Sequence, residues 1–184
     1  MSAKADEEII NATKVWLECA IIGLNLCPFA KSAHVKNQIH YAVSNATTHE
    51  GLLEDIICEL AALVGAAEKY IDTTLVIHPY VLTKFADYND FLGVVDAVLV
   101  DMGLDGVLQV ASFHPQYQFA ETQTDDITNF TNRSPYPMMH ILREDSVEKA
   151  VLSLPEIDSV YKKNIETMRH LGHNGWNDIW LKRG

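Results

Sequence analysis

The sequence is poor in cysteine and in positive charge, and each shortage excludes a class of protein. Cysteine occurs three times in 184 residues, at a spacing that fits neither a disulfide framework nor a zinc knuckle. We therefore expect reduced thiols. Lys and Arg number 14 against 25 Asp and Glu, a net charge of -11. Because nucleic-acid backbones and anionic membranes attract cations, this balance argues against both as the main partner.

Several segments that would reveal a cofactor or a destination are also missing. The glycines form neither a phosphate-binding loop nor a dinucleotide fingerprint, and there is no serine nucleophile elbow, so we expect no nucleotide cofactor. The first eight residues are acidic and carry no apolar signal region. The most apolar stretch, 19–26, is too short to cross a bilayer. The sequence thus predicts a soluble, cytoplasmic protein, and its length and near-average composition predict one domain over 1–184.

The hydrophobic periodicity predicts alternating helices and strands, which is typical of an α/β fold. A Thr47–Glu50 capping box is expected to open the second helix, and Asp87 to cap the third. The predicted elements are a helix over 6–24, a strand over 39–44, a helix from 47, a strand over 74–78, a helix from 87 to 103, strands over 107–113 and 138–143, a helix from 145 and a long helix over 155–171.

The connections predict how these strands are arranged. Helices join the first three strands, which favours parallel pairs with right-handed crossovers. The fourth strand follows a long loop instead, which leaves an antiparallel direction open. We therefore expect about four strands in a mostly parallel or mixed sheet, with helices on both faces and a long ordered loop before the last strand.

Two predicted strands end in the same dipeptide, His78-Pro79 and His114-Pro115. Proline helps to terminate a strand, so both histidines are expected at carboxyl strand ends, where open α/β sheets bind ligands. An antiparallel fourth strand would begin at the same edge and bring His140 close. Cys27 precedes Pro28 and is therefore predicted in extended backbone beyond the first helix.

The loop over 115–136 is polar and has almost no aliphatic side chains. Structureless connections of this length are usually functional or disordered, and its aromatic residues favour order. A short helix over 125–132 with Thr124 as cap would place Asp126, Asn129 and Arg133 on one face. We interpret the segment as an ordered loop that forms part of a site.

Four runs of residues, taken together, resemble a bacterial family of uncharacterised proteins, domain of unknown function 1415. They are NLCPFA (25–30), DYNDFL (87–92), QVASFHP (109–115) and NRSPYP (132–137). The resemblance covers nearly the whole chain, with Thr124 standing where the pattern has a proline. It implies a stand-alone bacterial protein and supplies no activity.

The candidate catalytic residues are His114, Cys27 and His140. His114 is a candidate general base because the pKa of histidine lies near neutrality. Cys27 is a candidate nucleophile or metal ligand, or else a small buried residue at a helix end. His78, His114 and His140 together form a candidate site for zinc or another divalent metal. No His-x-x-His spacing supports that site, and histidines hydrogen-bonded to loop backbone are the alternative.

The candidate substrate-binding residues lie in the 115–136 loop and at its end. Arg133 is placed to grip a carboxylate or phosphate, with Asn132, Asp126 and Tyr136 beside it. A helix start explains Asp126 equally well, and Tyr136 also suits a loop anchor. A second arginine, Arg143, is expected in a surface ion pair with its acidic neighbours.

Two functions remain open from the sequence. One is an enzyme that acts on a small polar or anionic metabolite at a strand-end crevice lined by His, Arg and Cys, with a metal in one version. The other is a non-catalytic module that binds a ligand or a protein through the same crevice and the 115–136 loop. Neither the reaction class nor the oligomeric state follows from the residues.

Overall fold

The structure, a computed structural model, describes residues 3–152 and 158–181. The helices are α1 (Ala3–Trp16), α2 (Pro28–Val35), α3 (His49–Gly65), α4 (Phe85–Asp101), α5 (Glu144–Leu152) and α6 (Asp158–Leu181). The strands are β1 (Ile39–Val43), β2 (Thr73–Ile77), β3 (Leu108–Phe113) and β4 (Met138–Arg143). A π-helical turn, Leu17–Ile22, extends α1, and a 3-10 turn, Ile127–Thr131, lies in the long loop.

The four strands form one mixed sheet in the order β1-β2-β4-β3. The strands β1 and β2 are parallel, whereas β4 is antiparallel to both β2 and β3. This confirms the predicted α/β class and gives the fourth strand its direction. Because the 115–136 loop replaces a crossover helix, the chain re-enters the sheet from the edge at which β3 leaves it.

Helices cover both faces of the sheet, as predicted. Along β2, Val76 belongs to one apolar core with α3 and α4, and its neighbours Leu75 and Ile77 belong to a second core with α1, the π-helical turn, α2 and α6. All five residues of β2 are buried. A strand that is covered on both faces is expected to be apolar throughout rather than alternating.

The π-helical turn replaces the end of the predicted first helix. The Gly23 amide bonds the Glu18 carbonyl at 3.0 Å and the Leu26 amide bonds the Ile21 carbonyl at 2.8 Å, both across five residues. A Cβ atom on Gly23 would lie 2.2 Å from the Cys19 carbonyl oxygen, so the backbone at the end of this turn requires glycine there.

Two predicted helix caps are wrong by a few residues. Helix α3 is capped by Thr48, whose hydroxyl accepts from the Gly51 amide at 3.1 Å, and not by Thr47. Helix α4 begins at Phe85 after Lys84, which makes no side-chain cap, so Asp87 lies in the first turn. The helix dipole stabilises a carboxylate in the first turn, which explains why an acidic residue marks the start of α4 without capping it.

Arg143 does not form the expected surface ion pair. Its guanidinium donates to the carbonyls of Leu63 and Ala66 at 2.6 and 2.7 Å and so closes the carboxyl end of α3. Arg143 reaches the end of α3 because β4 lies in the middle of the sheet, below that helix.

In α6, Gly172 has a φ of 62° and breaks the helical geometry, and the buried Trp176 packs on Phe130. The predicted start at Pro155 lies outside the described residues.

Candidate functional site

The predicted meeting of strand ends is present in the structure. Ile77 at the end of β2 and Phe113 at the end of β3 both pair with Met138 at the start of β4. The next residues continue the contact: the His78 amide bonds the Pro137 carbonyl at 3.0 Å, and the His114 amide bonds the Asn132 carbonyl at 3.1 Å. This edge of the sheet therefore gathers backbone from three strands.

His78 and His114 lie together on the α4 side of this edge, with neither exposed to solvent. Both pack against Tyr88, at ring-centroid distances of 5.8 and 5.1 Å, and Phe85 closes over His114 at 5.6 Å. Aromatic rings therefore fill the crevice on this side of the sheet. Neither histidine lines any of the three cavities described for residues 3–152 and 158–181.

Three of the four ring nitrogens of these histidines are engaged by nearby backbone, and His78 Nε2 is buried without a partner among the described residues. His78 Nδ1 lies 3.1 Å from the Val81 carbonyl. The Nδ1 atom of His114 accepts from the Gln116 amide at 2.9 Å, which places the proton on Nε2, 3.2 Å from the Leu82 carbonyl. Burial lowers the pKa of His78 to about 4 and also lowers the pKa of His114. The geometry is that of neutral histidines bonded to loop backbone.

His140 lies on the opposite face of the sheet. It pairs with Leu75, whose side chain faces α1, and its Nε2 lies 2.5 Å from the Thr73 hydroxyl. That hydroxyl donates to the Ile141 carbonyl at 2.6 Å, so it must accept from His140 Nε2–H. Burial lowers the pKa of His140 to about 4. His140 keeps some accessible surface and lines a small cavity.

The structure therefore does not bring the three histidines of the predicted metal site together. Successive side chains of a strand point to opposite faces of the sheet. His78 and His114 point to the face covered by α4, and His140 points to the face covered by α1. Among residues 3–152 and 158–181, no group of three or more His, Cys, Asp or Glu side chains is arranged to hold a metal ion. A site shared by His78, His114 and His140 is not formed.

The 115–136 loop is ordered by its own polar side chains. Asn129, fully buried, accepts from the Phe119 amide and the Thr122 hydroxyl, each at 2.9 Å, and donates to the Gln123 carbonyl at 2.8 Å. Asp126, and not the predicted Thr124, caps the 3-10 turn by accepting from the Thr128 amide at 2.9 Å. A local Asx cap of this kind outcompetes the longer α-helix predicted there.

Arg133 serves the loop and is not free to hold a ligand through its bonded nitrogens. Its Nε donates to the Tyr117 carbonyl at 3.2 Å and its Nη2 to the Thr124 carbonyl at 2.5 Å. The guanidinium also stacks on Phe130, 4.2 Å from the ring centroid. Three contacts from one side chain hold the two ends of the loop together.

A cavity of about 280 Å³ opens on the other side of the edge, between the sheet, the loop and α6. We call it the outer cavity; its lining residues are Ile21, Leu26, Cys27, Phe113, Phe119, Ala120, Thr122, Thr128, Thr131, Asn132, Tyr161, Asn164 and Ile165. Two predicted site residues, Cys27 and Asn132, contribute to it. Tyr136 packs into the adjacent core instead.

Cys27 lies on the wall of the outer cavity at the start of α2. Its backbone is extended, with φ -137° and ψ 107°, as predicted from the following proline. The helix that begins at Pro28 was not predicted. Burial raises the pKa of the Cys27 thiol, while the backbone amides of Ala30 and Phe29 act in the opposite direction by favouring the thiolate. Burial has the larger effect.

Sequence reasoning missed most of the polar lining. Asn164 reaches the cavity from α6, where its side-chain amide donates to the Leu26 carbonyl at 2.9 Å. Thr131 donates to the Thr128 carbonyl at 2.9 Å and to Asn132 Oδ1 at 3.1 Å. The available sequence signal was the polar Asn164 next to the apolar Ile165 and close to Met168 in α6. It does not show which part of the chain α6 packs against, because the contacts between α6 and the loop join residues distant in sequence.

These features define a class: an α/β protein with a small, partly enclosed cavity beside a cysteine at one edge of a mixed sheet. The chain belongs to the family described as protein of unknown function (DUF1415), whose model matches residues 8–178. Neither the curated proteins nor the solved structures compared with the chain include a significant match. Among the described helices, none has the length and apolar character needed to cross a membrane.

Proposed function

We propose that this protein is an enzyme that acts on a small, uncharged molecule held in the outer cavity, with Cys27 as the reacting group. The observation that carries the proposal is the position of Cys27, whose side chain lines the outer cavity at the amino end of α2. Ligand sites are concave, mostly apolar and supplied with a few polar groups. A volume of about 280 Å³ suits a small metabolite.

The charge of the lining favours an uncharged ligand over the anionic metabolite expected from sequence. Among the described residues that line the outer cavity, the polar side chains are neutral amides, hydroxyls and a thiol. A carboxylate or phosphate would be desolvated there without a cation to pair with. Arg133, the cation predicted to bind it, is bonded to the carbonyls of Tyr117 and Thr124.

The proposed chemistry is addition of the Cys27 thiol to an electrophilic carbon of the substrate. In the simplest case the S–C bond forms, the π bond of a carbonyl breaks, and the thiol proton passes to the carbonyl oxygen. The amides of Phe29 and Ala30 favour negative charge on the sulfur during attack. Burial keeps the thiol protonated between turnovers and so protects it from oxidation.

A non-catalytic binding module is the second candidate, and one observation favours it. The hydroxyl of Thr131 already donates to Thr128 and Asn132, and one hydrogen of the Asn132 amide is donated to the Ser112 carbonyl at 3.1 Å. Groups committed in this way fix the shape of a pocket but do not move protons. Such a module would hold the same uncharged ligand without converting it.

The charge preference can be tested with two alkylating reagents that differ in one group. Iodoacetamide is neutral and iodoacetate is an anion of nearly the same size, and both lose iodide to a thiolate. Free cysteine in the same buffer serves as the reference, because Cys58 shares a surface pocket with Glu54, Asp55 and Glu59, which would repel iodoacetate. Peptide mass spectrometry of the folded protein should give an amide-to-acetate rate ratio at least about tenfold higher for Cys27 than for free cysteine, about 1.4 kcal/mol. Equal ratios would contradict an uncharged site.

Turnover separates the two candidate functions. A panel of uncharged aldehydes, ketones and esters is incubated with the protein and followed by NMR, with thermal unfolding measured in parallel. An enzyme should convert at least one compound, and Cys27→Ser should abolish conversion while the matched Cys58→Ser variant retains it. Stabilisation by a compound without conversion would support the binding module. If no compound in the panel is converted and none stabilises the protein, that result would count against the outer cavity as a site.

A further inference from the structure

A second, smaller cavity lies behind Cys27. We call it the inner cavity; its volume is about 30 Å³ and its lining residues are Trp16, Leu17, Ile21, Cys27, Phe29, Ala30, Ala33, Ile39, Thr73, Leu75, Phe113 and His140. Three residues, Ile21, Cys27 and Phe113, line both cavities. The cysteine therefore stands where the outer and inner cavities adjoin.

The inner cavity exists because α2 turns its smallest side chains toward the sheet. Ala30 and Ala33 are 4% and 1% exposed and occupy positions where a larger aliphatic side chain would fill the space. Protein interiors are otherwise close-packed, so a void of this kind in the core costs stability. A ligand group that entered it would recover those contacts.

Two polar groups of the inner cavity, His140 Nε2 and the Thr73 hydroxyl, are bonded to each other. His140 donates to the Thr73 hydroxyl, and that hydroxyl donates to the Ile141 carbonyl. The remaining lining is aliphatic and aromatic. The accessible wall of the inner cavity is almost entirely apolar, and apolar cavities stay dry and accept apolar guests. With room for about two water-sized groups, the inner cavity matches a short alkyl chain.

We propose that the inner cavity binds a short apolar group of the ligand, of about two or three carbons, while the polar end remains in the outer cavity against Asn132 and Asn164. The substrate class is then an uncharged molecule with a short alkyl substituent next to its reactive carbon. Ala33 and Ala30 set the length that fits. This proposal rests on the proposed function of the outer cavity and names the substrate that it takes.

Alkyl methanethiosulfonates test the proposal directly on the folded wild-type protein. The Cys27 thiolate bonds to the alkylthio sulfur, the S–S bond of the reagent breaks, and methanesulfinate leaves with the electron pair. The rate at Cys27 divided by the rate at Cys58 removes the intrinsic reactivity of each reagent. This ratio should rise about fourfold per methylene from methyl to propyl, and should fall again for hexyl, which exceeds the cavity.

Ala33→Leu should remove the preference by filling the inner cavity. The propyl reagent should lose about tenfold relative to the methyl reagent, whereas Ala61→Leu, on the exposed face of α3, should keep the wild-type series. Ala33→Val provides a smaller change if the leucine variant fails to fold. The same chain-length series in wild type and in a folded Ala33 variant would overturn the proposal and leave the proposed function standing.

A second measurement covers the case in which Cys27 does not react with any reagent. Xenon-saturated buffer should shift the methyl NMR signals of Ala30 and Ala33 in the wild-type protein, because an apolar gas occupies a dry apolar cavity. The shift should be absent in Ala33→Val. Inert Cys27 with a xenon shift would reject the thiol chemistry and retain the inner cavity. Unshifted methyl signals would reject the inner cavity as a binding volume.

Discussion

The hydroxyl of Tyr88 lies 2.9 Å from the main-chain oxygen of Met138 and donates to it. The same hydroxyl accepts from the Phe113 amide at 3.1 Å. One side chain of α4 thus joins the end of β3 to the start of β4 and fixes both ends of the 115–136 loop. The outer cavity lies on the far side of that junction, so its wall depends on a residue that does not touch it.

Tyr88→Phe should lower the free energy of unfolding by roughly 1–3 kcal/mol. The change leaves the ring in place but removes the hydroxyl from two buried backbone groups, and unpaired buried groups carry a desolvation cost of that size. Urea unfolding measures the effect. Tyr70→Phe, at a side chain that is 68% exposed, should stay within about 0.5 kcal/mol of wild type. Equal stabilities of the two variants would mean that the hydroxyl does not hold the junction.

Arg133→Met should loosen the loop without removing an anion site. Loss of the bonds to Tyr117 and Thr124 should cost roughly 1–3 kcal/mol and should speed amide exchange within 115–136. Lys163→Met, at an exposed position of α6, is the control. Inorganic phosphate should shift the thermal midpoint of wild type and variant equally. A shift seen in the wild type alone would restore Arg133 as an anion-binding residue.

The buried histidines predict a fall in stability on mild acidification. Burial lowers the pKa of His78 and His140 to about 4, while an unfolded histidine titrates near about 6.5. Between these values the unfolded chain binds more protons than the folded one, so the free energy of unfolding decreases as the pH falls. The slope is at most about 1.4 kcal/mol per pH unit for each histidine.

Urea unfolding at pH 7, 6 and 5 measures this slope. His140→Gln should be less stable than wild type at pH 7 but should show a shallower dependence on pH, because one titrating group has been removed. His170→Gln, at an exposed position, is the matched surface control. If His140→Gln keeps the full wild-type slope, His140 is not held neutral by burial.

The Cys27 thiol should alkylate slowly at neutral pH and faster in alkaline buffer. Burial raises its pKa, and only the thiolate attacks, so the rate with iodoacetamide should keep rising beyond the pKa of an ordinary thiol, about 8.5. Mass spectrometry of the peptide that contains Cys27 gives the profile. A rate already at its plateau at pH 7 would show that the Phe29 and Ala30 amides outweigh burial.

Much of the fold could be predicted from the sequence because its signals are local. Strand β4 matches the predicted 138–143 range, and hydrophobic periodicity located the other strands to within one residue at each end. The caps were predicted less well: Thr47 fits the capping-box pattern with Glu50, yet it is the Thr48 hydroxyl that accepts from the Gly51 amide and caps the helix.

The candidate site was predicted only in part, because it depends on which face a side chain takes. The residues His114 and His140 do lie near one edge of the sheet, but a strand alternates its faces, so they point to opposite cores. The side of the edge with room for a ligand is decided by α6 and the loop, which pack there through contacts distant in sequence. Cys27 and Asn164 both line the outer cavity, but only Cys27 was among the residues proposed from the sequence.

The π-helical turn over Leu17–Ile22 has a consequence for insertions and deletions in this family. A π turn contains one residue more than the α-helical turn it replaces, and each residue removed from a helix rotates everything after it by about 100°. Shortening the turn by one residue would rotate Ile21 away from both cavities and would change the direction in which the chain continues toward Cys27. Members of the family that keep the cavity should therefore keep the length of this turn, whatever side chains they place in it.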